Sequence, residues 1–296
     1  MPFIGEIAAL TTATCWAFGS LLFTIAARRA GAFSLNAVRI PIAFAALTLI
    51  LLASRGLQWA PQAQTRDILI LALSGVIGLT LGDWGYFACL ERLGPRLATA
   101  LFTLAPPLTA ILAIPLLGEK LGLLPVIGMV ITMTGVAWVI MERPGKPIPR
   151  GHRIQGVVFG FIASFGQALG LILSKLGMAD RIDPLPATAI RMAAATAGVW
   201  IMVLAGGRVQ GVIRLLKDPP ARWATAGASF LGPVFGVWLS LVAVRHTKTG
   251  IAATLLAMTP ILILPLVILI QKERVSPRAA IGAVVAVGGV ILIFLR

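Results

Sequence analysis

Charged residues are scarce in this chain: 12% of its 296 positions are Asp, Glu, Lys or Arg, against roughly 25% in a soluble domain. The shortage is greatest for acids, with 10 carboxylates against 25 Lys and Arg. Most of those carboxylates fall in loops, so the clustered acidic, His or nucleophilic groups that an intramembrane enzyme needs at one depth are missing. The 2 cysteines, Cys15 and Cys89, both lie inside apolar runs, which argues against a disulfide framework or a zinc site. The 2 histidines are isolated, His152 in a linker and His246 between Arg245 and Thr247, and no metal centre is expected. No Gly-rich phosphate loop of Walker type occurs, so direct ATP hydrolysis is not expected, and no cofactor is implied. The first apolar stretch lacks a basic leader and is followed by Arg28 and Arg29, which predicts a retained span rather than a cleaved signal.

Apolar length is what the chain has in abundance. Hydrophobic residues make up 58% of it, and the mean hydropathy is +0.97. Runs of about twenty apolar residues recur, each long enough to cross a ~30 Å hydrocarbon core. Continuous runs, rather than alternation in segments of about ten residues, exclude a β-barrel. The expected class is an all-α polytopic membrane protein with spans at about 4–27, 35–53, 68–90, 96–117, 122–141, 154–174, 186–205, 223–244, 250–270 and 277–295. Between the seventh and eighth, Val209, Ile213 and Leu216 fall on one side of a short helix, either interfacial with Trp223 near the headgroups or a plain surface loop.

The net charge of +15 does not point to nucleic acid, because the basic residues lie in short loops between spans, with no separate basic domain. Loop by loop, fifteen Lys and Arg fall on one side of the membrane and seven on the other, the side that carries both termini. The positive-inside rule then predicts a cytoplasmic-membrane protein with both termini outside.

The chain also repeats itself. Pro106 and Pro260 are 154 apart, as are Glu119 and Glu273, Gly78 and Gly232, Gly82 and Gly236, Trp84 and Trp238, Gly128 and Gly282, and Gly135 and Gly289. About fifteen positions between 78 and 139 recur without a gap, which marks duplication. Each copy holds five spans, an odd number, so the copies must lie in opposite orientation, the pattern of an inverted-repeat transporter. The expected organisation is a first repeat at 1–141, a linker at 142–153 rich in Pro, Gly and charge, and a second repeat at 154–296.

The motif of a proline, an apolar stretch, Gly-Glu-Lys-Leu and a Gly-rich span, once per half, resembles the EamA family of the drug/metabolite transporter superfamily. Pro106, Gly118, Glu119, Lys120, Leu121, Gly128 and Gly135 carry it in the first half. Pro260, Glu273, Arg274, Val275, Gly282 and Gly289 carry it in the second, where Lys272 replaces the usual Gly. Arg39 and Arg191 match the arginine usually found early in the second span of each half. The resemblance implies ten helices in two inverted five-helix repeats, a central cavity between spans 1, 3, 4, 6, 8 and 9, spans 5 and 10 against each other, and export of small metabolites. In overall character the chain is most similar to amino-acid exporters of the YddG type.

Residues shared by the two halves suit a scaffold: Gly78 and Gly82, with Gly232 and Gly236, permit close helix approach. Pro106 and Pro260 interrupt their spans and are candidate hinges. Glu119 and Glu273 fit span-end capping better than proton transfer. The positions where the halves differ are the substrate candidates. Asp83 is the one carboxylate well inside a span, and its counterpart is Val237; Tyr86, three residues on, shares its helix face and corresponds to Ser240. Ser164, Gln167 and Ser174 form a polar strip on the sixth span with Lys175 alongside, and Thr99 and Thr103 add another on the fourth. Polar groups at mid-membrane face a bundle interior or an aqueous cavity, so these strips are expected either to line one cavity or to make interhelical hydrogen bonds. Asp83 could take up a proton, pair a substrate ammonium, or form a structural ion pair with Lys175. Trp16, Trp84 and Trp238 offer apolar and cation–π surface, or packing alone. Together these features predict a monomeric secondary transporter that exports small metabolites, amino acids first, by alternating access, with lipid bilayer and small-molecule substrate as partners. Another organic metabolite or drug as cargo, a lipid-linked flippase, and an intramembrane enzyme are the alternatives.

Overall fold

A computed structural model describes residues 3–56, 63–141, 150–266 and 277–295, and among these no strand occurs. The chain runs through α1 (Ile4–Ala30), α2 (Ala32–Arg55), α3 (Thr65–Gly75), a π-helical turn at Val76–Gly82, α4 (Asp83–Phe102), α5 (Ala105–Leu117), α6 (Leu123–Met141), α7 (Arg150–Met178) and α8 (Pro184–Ala205). It continues with α9 (Val209–Lys217), α10 (Pro219–Ser229), a second π-helical turn at Phe230–Gly236, α11 (Val237–His246), α12 (Thr249–Leu256), α13 (Thr259–Leu266) and α14 (Pro277–Phe294). Seven helical stretches are long and apolar enough to cross a membrane; Leu123–Val139, Thr249–Ile263 and Ala280–Phe294 are shorter apolar helices at the other three expected spans. Large apolar side chains such as Leu49, Ile201 and Val284 are well exposed on the outside of the bundle, as a hydrocarbon solvent allows. The helices overrun the expected spans by a few residues, because their ends are fixed by caps rather than by hydropathy. Gln64 and Asp67 form a reciprocal capping box at the start of α3. Gly118, in the left-handed region at φ 64°, closes α5.

The two π-helical turns lie 154 residues apart, matching the sequence repeat. Each carries glycines seven-residue-turn style at its third and last positions, Gly78 and Gly82 or Gly232 and Gly236. In the first turn the missing side chains let α7 come in: a Cβ on Gly170 would lie 2.8 Å from the Gly78 Cα, and one on Gly166 would lie 3.1 Å from the Gly82 Cα. Pro233 adds to the second turn by removing one backbone donor.

Pro106 and Pro260 do not kink a continuous helix. α4 ends at Phe102 and α5 begins at Ala105 with Pro106 in its first turn; α12 ends at Leu256 and α13 begins at Thr259 with Pro260 next. At a helix start the missing N–H costs nothing, so each proline opens a second helix segment. Lys272, Glu273, Arg274 and Val275, and the linker from 142 to 149, lie outside the described residues. The short helix between α8 and α10 forms, but Val212 and Leu215 are its buried face, while Ile213, Leu216 and Trp223 are exposed.

Helices α6 and α14 pack along glycines from both halves. A Cβ on Gly128 would lie 2.7 Å from Gly289 O, one on Gly135 would lie 2.6 Å from Gly282 O, and Thr132 Oγ1 donates to Ala286 O at 3.3 Å. Gly135→Leu should therefore destabilise the fold by about 3 kcal/mol or more, the upper range of overpacking. Gly288→Leu, at a position with open space around it, should leave the melting temperature in detergent nearly unchanged. Equal melting temperatures for the two variants would refute this packing.

Candidate functional site

The first π turn delivers Asp83 to the interior at a point where α2 can reach it. Asp83 Oδ2 accepts a hydrogen bond from Arg39 Nη2 at 2.5 Å, and Arg39 Nε donates to Asn36 Oδ1 at 2.6 Å. The Arg39 guanidinium also lies 4.6 Å over the Phe23 ring, a contact worth more where water is excluded. Both side chains keep some exposure, 14% for Arg39 and 22% for Asp83. Asp83 is thus paired, but with Arg39 rather than Lys175. Sequence spacing gave Arg39 no partner, because nothing in one dimension brings position 39 to position 83.

Tyr86 sits almost one turn beyond Asp83 and joins a second group. Its hydroxyl is 3.4 Å from Thr99 Oγ1, and its ring meets Phe102 edge-on at 5.2 Å. Ser164 Oγ donates to Leu101 O at 2.8 Å, next to the α4–α5 break, and Thr103 Oγ1 turns back to Ala100 O at 2.6 Å. Ser164 is fully buried, so it holds α7 against α4 rather than facing open space. Ser174 bonds Gly170 O at 2.6 Å and reaches Ser74 at 3.5 Å. Gln167 is half-buried and makes no hydrogen bond among the described residues.

The tryptophans do not converge on this group. Trp84 is about 100° round the helix from Asp83 and packs edge-on against Phe159 at 5.1 Å. It lines a separate cavity of about 140 Å³ with Phe33, Phe87, Glu91, Arg92 and Arg208. Trp16 lies against Gly236, and Trp238 is half-buried. Ser240 is buried and bonds Val237 O at 2.7 Å.

Lys175 belongs to a third assembly, at the face where α1 begins and α5 ends. Its Nζ donates to Glu119 Oε1 at 2.8 Å and to Thr247 O at 2.9 Å. Glu119 also accepts from Thr249 N at 2.7 Å and Thr249 Oγ1 at 2.7 Å, so it caps α12 of the other half. Gly118 makes this possible by turning the chain at the end of α5. Around it, Thr247 Oγ1 donates to Glu6 at 2.6 Å, Arg181 pairs with Asp67 through two 2.9 Å bonds, and Arg55 meets Asp183 at 2.6 Å. Each of these links joins residues before 142 to residues after 153. At the opposite face, among the described residues, Arg29–Asp218 at 3.0 Å is the ion pair that does so.

Sequence spacing missed Arg191. It is 3% exposed on α8, its Nε is buried without a hydrogen-bond partner, and its Nη2 lies over the first π turn, 3.4 Å from where a Gly78 Cβ would be. Only its match to the early-span arginine of each half drew attention to it.

Long apolar helices, lipid-compatible exteriors and charges gathered inside define a multi-pass membrane protein. The chain belongs to the EamA-like transporter family, which it matches over residues 3–141 and 154–295. It is 26% identical over 163 residues to an uncharacterized transporter of Archaeoglobus fulgidus, 55% of each chain, so it spans about half the length of that relative. A solved crystal structure shares the fold at a TM-score of 0.76 and 20% identity, over 98% of this chain and 97% of that one. These similarities reach transporter and family; they do not reach amino-acid export or the YddG type.

The Arg39–Asp83 pair has a measurable consequence. Asp83→Asn leaves a guanidinium unpaired and should lower stability by about 3 kcal/mol, the low end for a buried pair because some exposure remains. The double variant Arg39→Gln/Asp83→Asn should lose less than half of that. Melting of the purified variants in detergent decides it; a double variant no more stable than Asp83→Asn would argue against the pair.

Proposed function

We propose that this protein is a secondary transporter that exports small organic metabolites, amino acids among them, by alternating access between two inverted five-helix halves. The observation that carries this reading is the set of polar links at the face where α1 begins. Glu6–Thr247, Arg55–Asp183, Asp67–Arg181 and Glu119 with Lys175 and Thr249 all tie one half to the other at one end of the bundle. A rocking carrier needs one mouth shut by contacts that can be remade; Arg55–Asp183 is half-exposed on both sides, and Lys175 and Arg181 keep enough exposure to exchange their carboxylate partners for water. The α4–α5 and α12–α13 breaks, at matching places in the two halves, supply short helix segments able to pivot. Tyr86, Thr99 and Phe102 beside the first break form the surface that meets an apolar side chain, and Asp83 with Arg39 forms the charged end of the site.

A ten-helix count, a functional monomer and a cytoplasmic-membrane location with both termini outside complete the proposal. The duplicated halves supply within one chain what a second subunit would otherwise bring. Trp16, Trp84 and Trp238 act as packing residues in it, and Pro106 and Pro260 as the starts of the pivoting segments.

Counterflow of radiolabelled amino acids and related metabolites into proteoliposomes, at two pH values, tests the function. Saturable exchange supports a carrier, and linear flux or none from folded protein overturns it. The latch has its own test: Glu119→Gln removes the charge that holds Lys175 and caps α12. Spin labels at Thr65 and Asp180, in a background without Cys15 and Cys89, should then report a longer or broader distance across that face. An unchanged distance distribution would remove Glu119 from the gate.

A further inference from the structure

The charges inside the bundle do not balance. Arg39 and Asp83 neutralise each other across 2.5 Å. Arg191, 3% exposed, makes no hydrogen bond or ion pair among the described residues, and its Nε is buried without a partner. Its guanidinium lies against the π turn Val76–Gly82, which hands the chain directly to Asp83. Asp83 is the acidic group whose field reaches it. Beside the first π turn, among the described residues, two cations therefore share one carboxylate, which leaves a local net charge of +1.

An uncompensated charge in a low-dielectric interior is expensive, and membrane proteins keep such residues where a solute or ion uses them. A small anion is the group that would neutralise this excess. A carboxylate meets a guanidinium through two parallel charge-assisted hydrogen bonds, and Arg191 has donors to give. The latched face carries the same sign. Lys175, Arg245, His246 and Lys248 surround an open depression of about 390 Å³, with Glu119 as its acid. Glu119 is already held by Lys175 and Thr249, and Asp183 nearby is shared by Arg55 and Arg245. A basic mouth of this kind concentrates anions.

The geometry points to an anion subsite, built from Arg191 and Arg39 around Asp83, that receives the carboxylate of a small organic-acid substrate. This rests on the transporter reading above and names what that site selects. Asp83 does not await a substrate ammonium; it holds Arg39 while the site is empty and yields when a second carboxylate arrives. The ammonium of an amino acid is then dispensable, whereas its carboxylate is required.

Matched triples test this: an amino acid, the corresponding carboxylic acid without its amino group, and the amino-acid amide without its carboxylate. Each is added to the purified protein and to proteoliposomes, with thermal stabilisation and competition against counterflow as readouts. Amino acid and deaminated acid should bind alike, and the amide at least tenfold more weakly. Arg191→Gln should weaken the acids by about ten- to a hundredfold, the range for hydrogen bonds to charged groups, and Arg191→Lys should recover part of it. Should Arg191→Gln fail to fold, Arg39→Gln/Asp83→Asn provides a charge-balanced variant, in which acid affinity should also fall at least tenfold. Amides that bind and move as well as acids would overturn the anion subsite while leaving the carrier intact. Acids that neither stabilise nor compete, while other solutes show saturable flux, would do the same. Absence of saturable flux for every solute in folded protein would instead overturn the carrier reading, and acid binding that survives both variants would overturn the assignment of these arginines.

Discussion

A charge in hydrocarbon must find a partner, and this constraint organises the molecule more than any single packing contact. The apolar side chains can face either lipid or neighbouring helices with little difference in free energy, so hydrophobicity alone does not hold the bundle together. Charges and backbone groups can face only inward. Asp83 and Arg39 meet inside, Arg191 is drawn in against the first π turn, and the remaining ion pairs gather at the helix ends. The polar side chains thereby fix which helix faces are interior.

Close helix approach is what lets so few polar groups find each other. Gly78 and Gly82 bring the first π turn against Gly166 and Gly170 of α7, and Gly128 and Gly135 bring α6 against α14. A π turn adds a residue to the helical circuit and so rotates everything after it. Asp83 follows such a turn directly, and its direction toward α2 depends on that turn. Glycine packing, helix irregularity and the buried ion pair are parts of one arrangement. The same arrangement in the second half delivers Val237, which is why the interior is electrostatically one-sided although the scaffold is repeated.

Much of the fold was legible from residue order. Apolar runs placed the helices, the 154-residue offset predicted matching features in both halves, and the glycine pairs predicted close approach. The two π turns carried no recognisable hydropathy signal, yet they obey the same offset. The prolines were misplaced in role rather than position, because a sequence does not reveal that a helix has already ended four residues earlier. Of the candidate site, Tyr86 and Thr99 come together, as Asp83 and Tyr86 do by helical spacing. Trp84 turns away, Ser164 is spent on holding α7, and Lys175 pairs with Glu119.

By itself the sequence determined the class: an all-helical membrane protein follows from one-dimensional hydropathy, and family membership follows from a motif repeated along the chain. Periodicity also determined which neighbours share a face, since that depends only on 3.6 residues per turn. Only the tertiary structure decided which charge meets which. Arg39 with Asp83 and Glu119 with Lys175 are pairings over 44 and 56 residues of separation, and Arg191 Nε has no partner among the described residues. Coulombic partners are chosen by distance through a low-dielectric interior, and that distance exists only once the helices have packed.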